Sequence, residues 1–285
     1  MKNMILLLCL LSLPAFGKDM KLISAPRGLA SKEIPIYAPI AEHFSKFVGE
    51  GNTVTYKPAR VNSNNDMGNA WTDYRKLVME LNQEDKASFT FDGPQFNHYR
   101  AAFKNGQFIA RLDTPLKFVV ITHVSNTVDI NRLDGRSACL QQEPNLATLK
   151  YLTLFPLGKH PMRITVEGFE KAYEGVENRK CRLTVVTEGL FKKLNKDGLT
   201  KIVYTFPPLP NQSFMASADV PKEVVARLRD SIIAGECTAC NKLLEIYSAK
   251  AFVAVNEPDY DGMSNVLLND IIMSRDLKFA MRSVR

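Results

Sequence analysis

The chain has 285 residues, 45% of them hydrophobic, and carries 37 Lys and Arg against 30 Asp and Glu, a formal net charge of +7. That length buries a sizeable core in one large or two modest domains. The basic residues are scattered rather than clustered with aromatics between them, which argues against a nucleic-acid groove and for a solvated basic surface.

Met1-Lys2-Asn3 is a short basic leader, and residues 4–13 form an apolar run too short to span a bilayer. Pro14-Ala15-Phe16-Gly17 then supplies small residues for a cut before Lys18, so residues 1–17 read as a secretory signal peptide. Cys9 lies in that run without the small residue before it that a lipoprotein signal needs, so no lipid anchor is expected. No later stretch approaches the length of a membrane span. The expectation is a soluble, exported, periplasmic protein. Export leaves Cys139, Cys181, Cys237 and Cys240, an even count that allows two disulfides. Cys237-Thr-Ala-Cys240 reads as a local structural disulfide, with a redox pair as the alternative. No His or second Cys pair completes a zinc or haem motif.

Residues 20–24 read as a strand. Pro35-Ile-Tyr37-Ala-Pro39 opens a helix with Tyr37, Ile40, Ala41, Phe44, Phe47 and Val48 on one face. Residues 53–57 are a second strand, 62–69 a polar loop, and a helix follows with Trp71, Tyr74, Leu77, Val78 and Leu81 inward. Residues 88–91 are a third strand running into Asp92-Gly93-Pro94 and a helix carrying Phe96 and Tyr99. This β-α-β-α-β order favours a largely parallel sheet. The Gly93-Pro94 turn then lies at the carboxyl end of a strand, where ligands bind in open α/β sheets.

Further on, 116–122, 137–140, 164–166, 183–186 and 202–206 read as strands, with helices over 146–154 and 168–176. Phe206-Pro-Pro-Leu-Pro210 is a stiff linker. Asp219 is expected to cap a helix in which Val224, Val225, Leu228, Ile232 and Ile233 face inward.

In order along the chain, Tyr37-Ala-Pro39, Gly93-Pro94 with Tyr99, Leu133-Asp-Gly-Arg136, Pro207 to Pro210 with Val220-Pro221, and Asp259-Tyr-Asp261 resemble the motifs of phosphonate-type periplasmic substrate-binding proteins. The resemblance spans about residues 20 to 265. It implies an α/β, two-lobed type II periplasmic binding fold with a hinge and an interlobe cleft. The implied lobes are 18–113 with 207–285, and 114–206, with crossovers at Asp113-Thr-Pro115 and Phe206-Pro-Pro208. In that fold Cys139 and Cys181 lie at strand ends of one lobe, which pairs them and leaves Cys237 with Cys240.

The implied ligand-binding residues are Tyr37, Asp92, Gly93, Pro94, Phe96 and Tyr99 from one lobe, and Asn145 and Thr148 from the other. Each has a structural alternative. The aromatics can be core, Asp92 can be met by an Arg, and Asn145 and Thr148 can cap a helix. Where the family presents a Ser-Thr-Ser-Gly run, this chain has Pro144-Asn-Leu-Ala-Thr148. That loss, and the acid at Asp92, point away from a phosphonate and towards a cationic or hydroxyl-bearing ligand.

The function implied is capture of a small ligand and its delivery to a membrane transporter. A carrier of an apolar ligand such as a lipid or sterol, and a ligand-sensing adaptor for a membrane receptor, are the alternatives. His43, His98, His123 and His160 form no metal pair, and no catalytic elbow, phosphate loop or cofactor motif occurs. No enzymatic activity, cofactor or nucleic-acid partner is expected, and the protein is expected to be a monomer.

Overall fold

The computed structural model describes residues 19–25, 30–58, 88–133, 135–141, 145–155, 159 and 161–266. The expected signal peptide, the loop at 62–69, the helix of Trp71 and Tyr74, and Asp134, Glu143, Pro144 and His160 lie outside the described residues.

Elements are numbered in chain order. The first sheet takes β1 (Asp19–Ser24), β2 (Thr53–Tyr56), β3 (Phe89–Asp92) and β4 (Gln107–Leu112) from the first part of the chain. It takes β10 (Ser213–Ala216) and β11 (Phe252–Val253) from the last part, in the order β11-β4-β10-β3-β1-β2. β1 pairs in parallel with both β2 and β3. β10 inserts antiparallel between β3 and β4. Helices α1 (Ala30–Ser45), α2 (Pro94–Lys104), α6 (Lys222–Ile233) and α7 (Asn241–Tyr247) belong to this lobe. Its core is aromatic, with Phe44, Phe89, Phe91, Phe214 and Phe252 buried together.

The second sheet is built from β5 (Phe118–His123), β6 (Ser137–Leu140), β7 (Met162–Thr165), β8 (Leu183–Thr187) and β9 (Thr200–Thr205). Their order is β7-β6-β8-β5-β9. β6 is parallel to β7 and β8, while β5 runs antiparallel to β8 and β9. Its helices are α3 (Leu146–Leu152), α4 (Gly168–Glu177) and α5 (Glu188–Leu194). The first sheet thus draws on 19–112 and 213–253, and the second on 118–205.

Both disulfides form: Cys139–Cys181 with Cα atoms 5.6 Å apart, and Cys237–Cys240 at 5.3 Å. The first ties β6 to the segment that leads into β8, and α4 packs over it so closely that a Cβ on Gly175 would collide with the Cys139 sulfur. The second lies against the aromatic core, with both cysteines only 2% exposed.

Several local expectations need correction. Helix α1 begins at Ala30, one turn before Pro35, so Pro35 and Pro39 sit inside it. An interior proline costs about 3 kcal/mol. Burying Tyr37, Ile40 and Phe44, at roughly 1.5–3 kcal/mol each, offsets that. Asp219 does not cap α6: its carboxylate takes the Ser217 hydroxyl, and Pro221 stands at the cap position. Ile233 is 39% exposed and faces outward, unlike Val224, Val225, Leu228 and Ile232.

Candidate functional site

Strand direction places the site. β4 runs into the crossover at 113–117, and β1, β2 and β3 run the same way, because β10 is antiparallel to both β3 and β4. β9 runs into the returning crossover at 206–212, and β6, β7 and β8 are parallel to it. The carboxyl ends of these strands therefore form two edges, one on each side of the crossovers. The crossovers themselves are paired. Leu116 and Leu209 exchange backbone hydrogen bonds of 2.8 and 2.9 Å, and Asn211 Nδ2 donates to the Thr114 carbonyl at 2.8 Å.

On the first edge, Asp92 ends β3 and is fully buried, and the Arg100 guanidinium of α2 ion-pairs with it. The next residue, Gly93, gives up space rather than backbone freedom: a Cβ there would lie 2.6 Å from Gln95 Oε1. Pro94 opens α2, where a missing N–H removes no helical hydrogen bond. Asn97 Nδ2 donates to the Asp92 carbonyl and to Ser213 Oγ, each at 2.7 Å, which locks the turn to β10. Asn97 Oδ1 is buried with no donor among the described residues. Phe96 is buried, and Tyr99 is half-buried against Phe103.

Tyr37 is 1% exposed and stacks on Tyr56, ring centroids 4.9 Å apart. Tyr56 in turn donates to Glu33 Oε2 at 3.1 Å and lies 2.9 Å from Ser24 Oγ. Burial and the Glu33 carboxylate push its phenol well above its ordinary range. Register puts Asp92, Ser213 and Arg111 side by side across β3, β10 and β4, on one face of the sheet. Tyr260 packs beside them, donating to the Asn211 carbonyl at 3.1 Å, and burial pushes its phenol up to about 12.

On the second edge, Asn145 is the N-cap of α3: its Oδ1 accepts from the backbone N–H groups of Ala147 and Thr148 at 3.0 and 3.4 Å. Its Nδ2 donates to Gln141 Oε1 at 3.2 Å. The buried Thr148 hydroxyl donates to the Gln141 carbonyl at 2.8 Å. Lys150 extends over the Phe206 ring at 5.8 Å, and its burial lowers its pKa.

The structure thus gathers Asp92, Gly93, Pro94, Phe96 and Tyr37 at one edge and Asn145 and Thr148 at the other. Asp92 offers less bare negative charge than its sequence position suggested, because Arg100 meets it. Sequence reasoning passed over Glu33, Tyr56 and Arg111, and took Gln141 only as the start of the implied ligand loop, not as a binding residue. Their only signal was position at the end of a strand or the start of a helix, and β4 was not recognised. Among the described residues no cluster of His, Cys, Asp or Glu is arranged to hold a metal ion, and no helix is long and apolar enough to cross a membrane.

The architecture has many counterparts. XAC2383 from Xanthomonas citri bound to ATP is similar with a TM-score of 0.67 and 10% identity, covering 88% of this chain and 97% of its own. PhnD1 from Prochlorococcus marinus in complex with methylphosphonate is similar at 0.61 and 13% identity, covering 87% and 97%. The binding protein component of an ABC phosphonate transporter from Pseudomonas aeruginosa follows at 0.58 and 13%, covering 88% and 86%. No curated protein matches the sequence. Residues 71–260 match the family described as ABC transporter, phosphonate, periplasmic substrate-binding protein. With two α/β lobes on either side of paired crossovers, and that match over most of its length, this chain belongs to the phosphonate-type family of periplasmic substrate-binding proteins.

Proposed function

We propose that this protein captures a small ligand between its two facing edges and delivers it to the permease of an ATP-driven importer, without catalysing a reaction. The observation that carries the reading is the convergence of strand carboxyl ends from both sheets on either side of two short, paired crossovers. Ligands bind at such ends in open α/β sheets. Contacts with both lobes let a ligand shift the balance between open and closed forms.

In this reading the lobes are residues 18–113 with 207–285, and 114–206. The signal peptide is removed near Gly17 and Lys18, which places the mature chain in the periplasm as a monomer. The ligand lies against Gly93, Pro94 and Tyr99 from the first lobe and against the Asn145–Thr148 turn from the second. Tyr37, Asp92 and Phe96 act from behind, holding the first edge in shape.

The apolar-carrier alternative has less support, because Tyr37, Phe91 and Phe96 are each 1% exposed and serve the core. XAC2383 and PhnD1, the ATP and methylphosphonate complexes, show that this fold accommodates phosphorus oxyanions elsewhere. The test is mass spectrometry of the small molecules released when protein purified from its native periplasm is denatured. A single small polar compound in near-equal amount to protein is expected. A lipid or sterol in its place would favour the carrier.

A further inference from the structure

We infer that Arg111 and Gln141 determine what the cleft selects, by reading an anionic oxygen group, carboxylate or phosphoryl, from opposite edges. The inference rests on the reading of the cleft as the ligand site. It adds two residues outside the Ser-Thr-Ser-Gly position at which the family's motif would place anion recognition.

The first observation is the charge along one row of the first sheet. Asp92, Ser213 and Arg111 are neighbours across β3, β10 and β4. The acid of that row is already met by Arg100. Arg111 has no such partner: among the described residues no carboxylate lies within ion-pairing distance of it. Its Nη1 donates to the Leu112 carbonyl at 3.1 Å, at the start of the crossover, and its Nε is buried with no acceptor among the described residues. A guanidinium presents a planar fork of donors matched to carboxylate and phosphoryl oxygens.

The second observation comes from the facing edge. Backbone N–H groups donate to Asn145 Oδ1, so the other end of that amide, Nδ2, must be a donor. Nδ2 donates to Gln141 Oε1, which fixes the Gln141 amide as well. The chain of bonds leaves Gln141 Nε2 as a donor, and it too is buried with no acceptor among the described residues. Buried donors lacking acceptors destabilise a protein unless something meets them. Here one stands at the end of a strand on each edge, and a ligand acceptor would meet both. A bound oxyanion supplies acceptors to both and counterbalances Arg111.

The experiment is calorimetric titration of the mature protein at low salt with methylphosphonate and inorganic phosphate in one arm, and acetate and succinate in the other. Arg111→Gln, Arg111→Lys and Gln141→Glu are compared with wild type. One arm is expected to bind, which identifies the oxyanion. Arg111→Gln should then weaken it on the order of 10- to 100-fold, and Arg111→Lys less. Gln141→Glu keeps the acceptor for Asn145 but replaces the donor by a negative charge, and should weaken binding at least about 10-fold.

Thermal melts check that each variant folds. If Arg111→Gln does not, Arg111→Lys and Gln141→Glu decide. Unchanged affinity in the folded variants overturns the inference. So does a wild type that binds none of these anions yet retains a neutral or cationic molecule from its host, and the binding-protein reading then still stands. A wild type that holds no small molecule at all removes that reading as well.

Discussion

The two edges that face each other across the crossovers are built from different chemistry. The first is charged and cross-braced: Asp92 is held by Arg100, Asn97 ties the turn to β10, and Arg111 stands in the same row. The second relies on uncharged groups at its turn, with the Lys150 cation set apart over the Phe206 ring. The turn consists of amide and hydroxyl dipoles in one relay, from the α3 cap through Asn145 to Gln141, with Thr148 closing the loop. Behind it the Cys139–Cys181 disulfide braces β6. In the proposed closure, one lobe would read charge and the other hydrogen-bonding geometry. Each lobe is held rigid by a different device, so each should fail differently.

The largest effect should come from the brace behind the second edge. Cys139 and Cys181 are separated by 42 positions, and a loop of that length constrains the unfolded chain by about 4 kcal/mol. Replacing both by Ala should lower the free energy of unfolding by that order. The same change at Cys237 and Cys240, separated by 3, should cost about 2 kcal/mol. Urea denaturation of the two double variants measures the difference.

Next is the charged edge. Asp92→Asn removes the carboxylate that ion-pairs with the Arg100 guanidinium, only 13% exposed. Removing one member of a buried pair costs about 3 kcal/mol. The loss should appear in stability first, and Arg100→Met introduced together with Asp92→Asn should recover much of it. An Asp92→Asn variant as stable as wild type would show that Asp92 is not held structurally.

Asn145→Ala should be milder, about 1 kcal/mol for the lost cap. It should also free the Gln141 amide to rotate and so weaken ligand binding, an effect that a simple cap would not have. Smallest is the acid limit at the crossover. Burial pushes the Asp113 carboxyl up, but hydrogen bonds from the N–H groups of Lys250, Ala251 and Thr114 and from the Thr114 hydroxyl outweigh it, and hold it below its ordinary value. A depressed folded-state pKa contributes stability above the unfolded value, near pH 3.9. That contribution is lost as pH falls through the folded value. Asp113→Asn should therefore lower stability modestly at neutral pH, and the difference from wild type should vanish as pH falls below about 4.

Much of this was legible in the sequence, because the signals were strong and local. Gly93-Pro94 followed a β-forming run, so the third strand and the helix after it were clear. The proline-rich stretch at 206–210 read as a stiff linker because it cannot be helical, and the family resemblance implied that it is a crossover. β4 and β10 were not legible. Phe214 and Met215 of β10 occupy only a short stretch, and its pairing between β3 and β4 joins segments more than a hundred residues apart. Missing β4 meant missing Arg111. At α1 the two prolines misled, since tertiary burial of Tyr37 and Phe44 outweighed their local preference. Asp92 was expected as a site residue, but its partner on the next helix, Arg100, turns on side-chain geometry that spacing alone does not reveal.

Closure can be followed by distance measurement between two spin labels, one on each lobe. Lys46 and Lys193 are exposed on opposite lobes, and all four cysteines of the expected mature chain are in disulfides, so cysteines introduced at these two places label cleanly. Adding back the small molecule released from the native protein should shift the distance distribution to shorter values, and Arg111→Gln should require more of it to do so. A distribution that stays unchanged while the ligand is demonstrably bound would contradict capture between the lobes.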